Sequence, residues 1–283
     1  MDIEKDYLVI IKNFLPSMHQ GEKKIAEYIL SHPADVINMT IAQLAILLSV
    51  ADSSIVRFCR LIGLNGFTDL KINLAKNISK SSYLIPEEIS LHDDDYSIAL
   101  KVFSSSIQTL QNTINTLDKE EFHRTVQLLL EAKRIEIYGI GTSATLAQDT
   151  YYRFMRIGLP AYAATDPHIS RISASMLDDE CVVLGISHTG RTKDTIEALQ
   201  IAKGKGAKII GITSFYKSPL LDLSDRRLVI SSIEADFLKE AVSSRIAHLG
   251  LIDSLCTCLI IRRYKQTEPL LDSMTYILNQ LRY

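Results

Sequence analysis

The chain has 283 residues, of which 47% are apolar and 23% charged, and its formal net charge is −2. This composition describes a globular protein long enough for two cores, and it excludes a globally basic nucleic-acid coat while permitting one local basic face. No uninterrupted apolar run reaches the roughly 18 residues that a membrane span needs, and residues 1–15 carry Asp2, Glu4, Lys5, Asp6 and Lys12, unlike a signal peptide; the expectation is a cytoplasmic protein with no membrane partner.

Residues 1–80 read as helical throughout. Apolar residues return at three- and four-residue steps in Ile25-Ala26-Ile29-Leu30 and again in Ile41-Leu44-Ala45-Leu48, and nothing there alternates like a strand. Residues 81–97 hold a polar, proline-containing stretch, Ser81-Ser82-Tyr83-Leu84-Ile85-Pro86-Glu87-Glu88 and then His92-Asp93-Asp94-Asp95, which reads as a linker. Two helical patterns run from Tyr96 to Ala132 and part near Leu117-Asp118, after which short β-branched runs at 134–140, 159–163, 181–187, 207–213 and 227–230 alternate with helices. The predicted fold class is therefore α + α/β: an N-terminal all-α bundle over 1–80, then a doubly wound parallel α/β domain of about five strands over 98–283. Cys59, Cys181, Cys256 and Cys258 are scattered in apolar surroundings without paired spacing or a histidine partner, so neither a metal site, a disulfide framework nor a cofactor is expected.

Within the helical part, Thr40 followed by Ile41-Ala42-Gln43-Leu44-Ala45 reads as an N-capped short helix, Ser49-Val50-Ala51 as a tight turn, and 53–62 as a second helix. That is helix-turn-helix spacing, in which the second helix enters the major groove; Asp52, Ser53, Ser54 and Arg57 are the expected base readers, and Arg60 a base or phosphate contact. Between Ser53 and Lys80 five basic residues (Arg57, Arg60, Lys71, Lys76, Lys80) stand against the single acid Asp69, a local phosphate-binding face on an acidic chain. A plain helical bundle with solvated charges has the same spacing. The stretches Glu22-Lys23-Lys24-Ile25-Ala26-Glu27-Tyr28-Ile29-Leu30, Met39-Thr40-Ile41-Ala42-Gln43-Leu44-Ala45 and Ser54-Ile55-Val56-Arg57-Phe58-Cys59-Arg60-Leu61-Ile62-Gly63-Leu64-Asn65-Gly66-Phe67 resemble the N-terminal domain of the RpiR/MurR family of regulators. The resemblance implies operator binding. It departs at Ser49, where the family usually has Gly, and at Ala51, where it usually has a Ser cap; Asp52 is expected to take over the capping.

In the second domain, the run 135–140 leads into Gly139-Ile140-Gly141-Thr142-Ser143 before a helix. A glycine-rich strand-to-helix turn of this kind brings backbone N–H groups to an anion, although it also serves merely to pack strand on helix. The run 181–186 ends in Ser187-His188-Thr189-Gly190-Arg191-Thr192, where three hydroxyls and a glycine precede a helix and suit a phosphate. Neither turn ends in the GK[ST] of a nucleotide-binding loop. Together the turns are similar to the SIS (sugar isomerase) domain, with its G-x-[ST]-S and S-x-S-G-x-T loops. That similarity implies a phosphorylated sugar bound by Gly141, Thr142 and Ser143 and by Ser187, His188, Thr189, Gly190 and Thr192, with Thr189 standing where Ser is usual. Asp166-Pro167-His168 and the 240–247 segment also look like RpiR/MurR regulators, so His168 and Glu240 are candidate sugar-hydroxyl contacts; a helix-end histidine and an interface ion pair are their other readings.

The expectation is thus a sugar-metabolism transcription regulator, a repressor in the family's commoner arrangement. Its partners would be a double-stranded operator with an inverted repeat, a phosphosugar effector, and its own copies as homodimer or tetramer, held by the α/β domains and the helices of 237–263. The competing classes are a phosphosugar isomerase with an accessory helical domain and a sugar-phosphate sensor that regulates another protein without binding DNA.

Overall fold

The structure, a computed structural model, describes residues 6–80, 89–231 and 242–281. The chain divides into two compact units, Met1–Thr116 with Ser231–Ser244, and Leu117–Ile230 with Arg245–Tyr283.

The first unit begins with six helices: α1 Tyr7–Phe14, α2 Gln20–Ser31, α3 Pro33–Asn38, α4 Ile41–Leu48, α5 Asp52–Leu61 and α6 Phe67–Lys80. Their apolar stripes converge on one core in which Ile25, Ile29, Val36, Leu44, Ile55, Phe58, Leu70 and Leu74 are fully buried. Helix α4 starts where the sequence says it should: the Thr40 hydroxyl accepts from the Gln43 N–H at 3.2 Å while the Gln43 side chain accepts from the Thr40 N–H at 2.8 Å, a reciprocal cap of two otherwise orphaned donors. The helix stops at Ser49, whose φ of 50° is left-handed, and the chain then turns by 103° into α5.

The same unit holds α7, Asp95–Thr116, which buries Ser106, Thr109, Asn112 and Thr113. Its last turn meets Ser231, whose N–H donates to Thr113 Oγ1 at 3.2 Å and whose hydroxyl lies 2.7 Å from Thr116 Oγ1.

The second unit is an α/β sandwich: α8 Lys119–Glu131, β1 Arg134–Tyr138, α9 Thr142–Arg156, β2 Ala161–Ala164, α10 Pro167–Ala174, β3 Cys181–Ile186, α11 Lys193–Gly204, β4 Lys208–Thr213, α12 Pro219–Leu223 and β5 Arg226–Val229. Helix α13, Val242–Arg262, and α14, Tyr264–Asn279, follow. All strand pairs are parallel, in the order β2-β1-β3-β4-β5. The strands are shorter than the β-branched runs: 134–140 stops at Tyr138, and 159–163 starts at Ala161, because the Leu159 N–H is taken by Phe154 O at 3.0 Å and closes the preceding helix.

Parallel strands joined by right-handed crossovers place their helices by direction of travel. From β1 the chain moves one way to β2, and from β3 it moves the other way to β4, so α9 and α11 lie on opposite faces. Helix α10, which carries the chain from β2 to β3, shares the α11 face, and there Tyr138, Val183 and Ile209 pack with Ala174, Ala198, Leu199 and Leu220. One buried carboxylate pins α10 to the sheet: Glu136 accepts from Ser173 Oγ at 2.8 and 2.9 Å and pairs with Arg134 at 2.5 Å. Between β1 and β3 the connections diverge, and this is where open α/β sheets form a ligand crevice at the strands' carboxyl ends. The α13 stretch Ser243–Arg262 is long and apolar enough to cross a membrane by composition, with part of it buried inside the protein.

Candidate functional site

Two places in the chain gather the sequence's candidate residues. On α5 the buried side is Ile55, Phe58 and Cys59, and the outward side is Asp52, Ser53, Arg57 and Arg60, with Ser54 half-buried. Residues 53, 57 and 60 recur at helical spacing, so they form one solvent-facing strip. Arg57 Nη2 donates to Ser54 Oγ at 3.3 Å, which aims the guanidinium toward the helix start. One expectation needs correction. Asp52 does not cap α5: the N-cap is Ala51, without a side-chain bond, and Asp52 sits in the first helical turn. Lys71 also serves the fold, since its ammonium donates to Met39 O at 2.9 Å, at the end of α3.

The second place is the carboxyl edge of the sheet. The register pairs Tyr138 with Gly185 and with Ala164, so the turns after β1, β2 and β3 emerge side by side. After β1, Gly139 is needed because a Cβ there would stand 2.6 Å from Ser143 O. Gly141 is the N-cap of α9, no acidic residue occupies the first turn, Ser143 is buried and Thr142 exposed. After β2, Asp166 caps α10 through the His168 and Ile169 N–H groups, both at 2.9 Å. The Ile169 N–H, then that of His168, hold the Asp166 carboxyl below its usual range, and His168 itself is exposed. Glu240 lies outside the described residues.

After β3 the turn is bonded to itself. Ser187 Oγ lies 3.0 Å from Thr192 Oγ1 and accepts the Gly190 N–H at 3.1 Å, and Thr189 Oγ1 accepts the Arg191 N–H at 3.3 Å. Thr192 is the N-cap of α11 but makes no side-chain bond to it, so the helix presents free N–H groups and a positive dipole end to an incoming anion. Asp194 in that first turn would oppose an anion, but Arg171 on α10 holds it at 2.7 Å and Glu197 at 2.6 Å; the same guanidinium keeps the Glu197 carboxyl below its ordinary range.

The turn is braced from behind by residues outside the set expected to line the pocket. Thr213 Oγ1 and the Ser214 N–H both donate to His188 O at 2.9 Å, the His188 ring lies 2.9 Å from Ser214 Oγ, and the Gly190 O accepts from Leu220 at 3.1 Å. Thr195, in the first turn of α11, is buried and its hydroxyl has no hydrogen-bond partner. The signal for this brace was the second hydroxyl cluster, Thr213 at the end of β4 with Ser214 and Ser218 beyond it.

Comparison with known proteins matches the same two places. Residues 5–81 match the helix-turn-helix domain of the rpiR family, and residues 128–257 match the SIS domain. An uncharacterised HTH-type transcriptional regulator of Caldanaerobacter subterraneus is 35% identical over 274 residues, covering 97% of each chain. The HTH-type transcriptional regulator HexR of Pseudomonas aeruginosa is 32% identical over 279 residues, covering 99% of this chain and 98% of HexR. Among solved structures, the Vibrio vulnificus NanR protein complexed with ManNAc-6P superposes with a TM-score of 0.63 at 25% identity, covering 97% of this chain and 100% of that one.

Proposed function

The chain belongs to the RpiR family of HTH-type transcriptional regulators, and from that premise we propose that it represses sugar-metabolism genes and leaves its operator when a phosphorylated sugar binds at the carboxyl ends of β1 and β3. In functional terms, residues 1–80 read DNA, 81–97 link, and 98–283 bind the effector. The observation that carries the reading is the pairing, in one chain, of an outward strip Ser53-Arg57-Arg60 on α5 with an uncapped, hydroxyl-lined helix start at Thr192. NanR holds ManNAc-6P, which supports a sugar phosphate as the ligand class here. Ser143 would contact the sugar, Ser187, Thr189 and Thr192 the phosphate, and His168 a sugar hydroxyl. Two cytosolic copies, held through their C-terminal parts, would read half-sites about 34–36 Å apart or a multiple of that.

The pocket binds without turnover in this reading. A coupling of about 1–3 kcal/mol between the two sites changes operator affinity roughly 5- to 150-fold. The test is footprinting of the chain on upstream DNA of sugar genes while phosphorylated hexoses, amino sugars and pentoses are titrated in. An inverted-repeat footprint that fades with one of them supports the proposal. Lack of any protected site, or solvent deuterium entering the bound sugar next to its carbonyl at a catalytic rate, overturns it in favour of an isomerase.

A further inference from the structure

Asp194 stands where it would compete with the ligand. It is the acidic residue of the first turn of α11, and a carboxylate there ordinarily settles on the helix's positive end. The carboxylates of Asp118 and Asp166 do so at α8 and α10, each accepting two backbone N–H groups at 2.9 Å. Among the described residues Asp194 accepts no backbone N–H; its Oδ1 is held instead by Arg171 Nη2, on α10, at 2.7 Å. The same guanidinium donates to Glu197 Oε2 at 2.6 and 3.2 Å and, through Nη1, to Pro167 O at 2.7 Å. One planar fork therefore fastens the start of α10, beside Asp166 and His168, to the first turns of α11. With Lys193 at 3.7 Å from Glu197, the cluster sets two cations against two carboxylates and is neutral. Its members are partly exposed, and ion pairs of that kind add little stability, so holding the fold together does not account for the arrangement.

We propose that Arg171 is a positioning residue for the phosphate of the effector: it draws the Asp194 carboxylate off the α11 start and cancels its charge, so that the N–H groups beside Thr192 stay available to an anion. This deepens the effector reading above and rests on it. Of the two turns expected to hold the ligand, the one after β1 has no acidic residue in the first turn of its helix and needs no such device. Without Arg171, Asp194 is free to fold onto its own helix end, where it would occupy the N–H groups and repel a dianion. The loss then has a cause that a second substitution takes away, whereas the loss of a mere brace does not.

The full-length chain is titrated by calorimetry with inorganic phosphate and with the phosphorylated hexoses, amino sugars and pentoses used in footprinting, and each variant is melted alongside. Arg171→Gln and, keeping the aliphatic stem, Arg171→Met are each expected to weaken anion binding about fivefold to tenfold, the scale of one uncancelled charge at a partly exposed site. Adding Asp194→Asn to either is expected to recover most of that loss, and Asp194→Asn alone to tighten binding. Arg171→Lys, which keeps the charge, is expected to lose only about twofold. Undiminished affinity in both Arg171 variants overturns the inference, as does a loss that Asp194→Asn leaves unrepaired, and the pocket reading survives either result because the wild type still binds. A wild type that binds neither phosphate nor any of the sugar phosphates overturns the pocket reading and this inference together.

Discussion

The outward strip of α5 and the turn after β3 both meet a phosphate-bearing ligand in our reading, yet they are built on opposite principles. On α5 the groups offered to the ligand are tips of side chains, Ser53, Arg57 and Arg60, and the helix is held by other residues, Ile55, Phe58 and Cys59, on the far side. Contact and support are separate. In the β3–α11 turn the same atoms do both: Ser187 Oγ holds the Gly190 N–H and the Thr192 hydroxyl, and Gly190 is pressed against Ser218 and Thr213. A surface of the first kind changes its specificity freely, because a new side chain disturbs nothing beneath it. A turn of the second kind ties recognition to folding.

The sharpest way to break this contrast is Gly190→Ala. Gly190 has φ +64, and an added Cβ would press on Ser218 Oγ and stand 2.6 Å from Ser218 Cβ. Left-handed strain together with the clash should destabilise the α/β unit by about 3 kcal/mol and remove phosphosugar binding; urea unfolding and calorimetric titration measure the two. Next comes the pair Ser187→Ala with Thr192→Ala, which should weaken phosphosugar binding by about 3 kcal/mol, on the order of 100-fold, and also lower stability by about 1 kcal/mol. Operator binding without sugar should persist, so the variant would be deaf to inducer. An unaltered calorimetric affinity would move the pocket elsewhere.

On the helical side the expected pattern reverses. Arg57→Ala should cost about 1–3 kcal/mol of specific operator affinity and relax base choice at one position, with the thermal midpoint unchanged, as anisotropy titration beside a melting curve would show. An equal loss of fold stability would mean that support and contact are joined here too. Smallest is Ser49→Gly. Ser49 adopts φ 50, a conformation that costs an L-residue roughly 1–2 kcal/mol, so glycine should raise the stability of the helical unit by about 1 kcal/mol after its greater unfolded-chain freedom is counted. Operator affinity should stay within twofold.

Much of this was legible in the residues because local chemistry decides it. Thr40 capped α4 as its hydroxyl and the later Gln43 require, and the alternation of β-branched runs with helical patterns marked all five strands. The departure at Ser49, where the family usually has Gly, falls on the residue that takes the left-handed conformation. What escaped notice depends on contacts between distant segments. The Lys71 ammonium serves Met39 O, a carbonyl thirty-two positions earlier, and on charge alone it was indistinguishable from Lys76. The brace of Thr213, Ser214 and Ser218 behind the β3 turn needs the β3–β4 register to be seen. Asp52 missed the cap by a single helical position, within the margin by which helix starts shift.

The bond between Ser187 Oγ and Thr192 Oγ1, 3.0 Å long, bears on how tightly the proposed pocket would hold an anion. That bond uses one hydroxyl proton and leaves the other available, so in our reading a phosphate oxygen would meet one donor outright and gain the second only by exchange. The turn arrives ordered, which saves conformational entropy, yet it gives up an existing contact on filling. A Thr192→Val change, which removes one hydroxyl of that pair along with a proposed ligand contact, would show through the resulting phosphosugar affinity how nearly the two effects cancel.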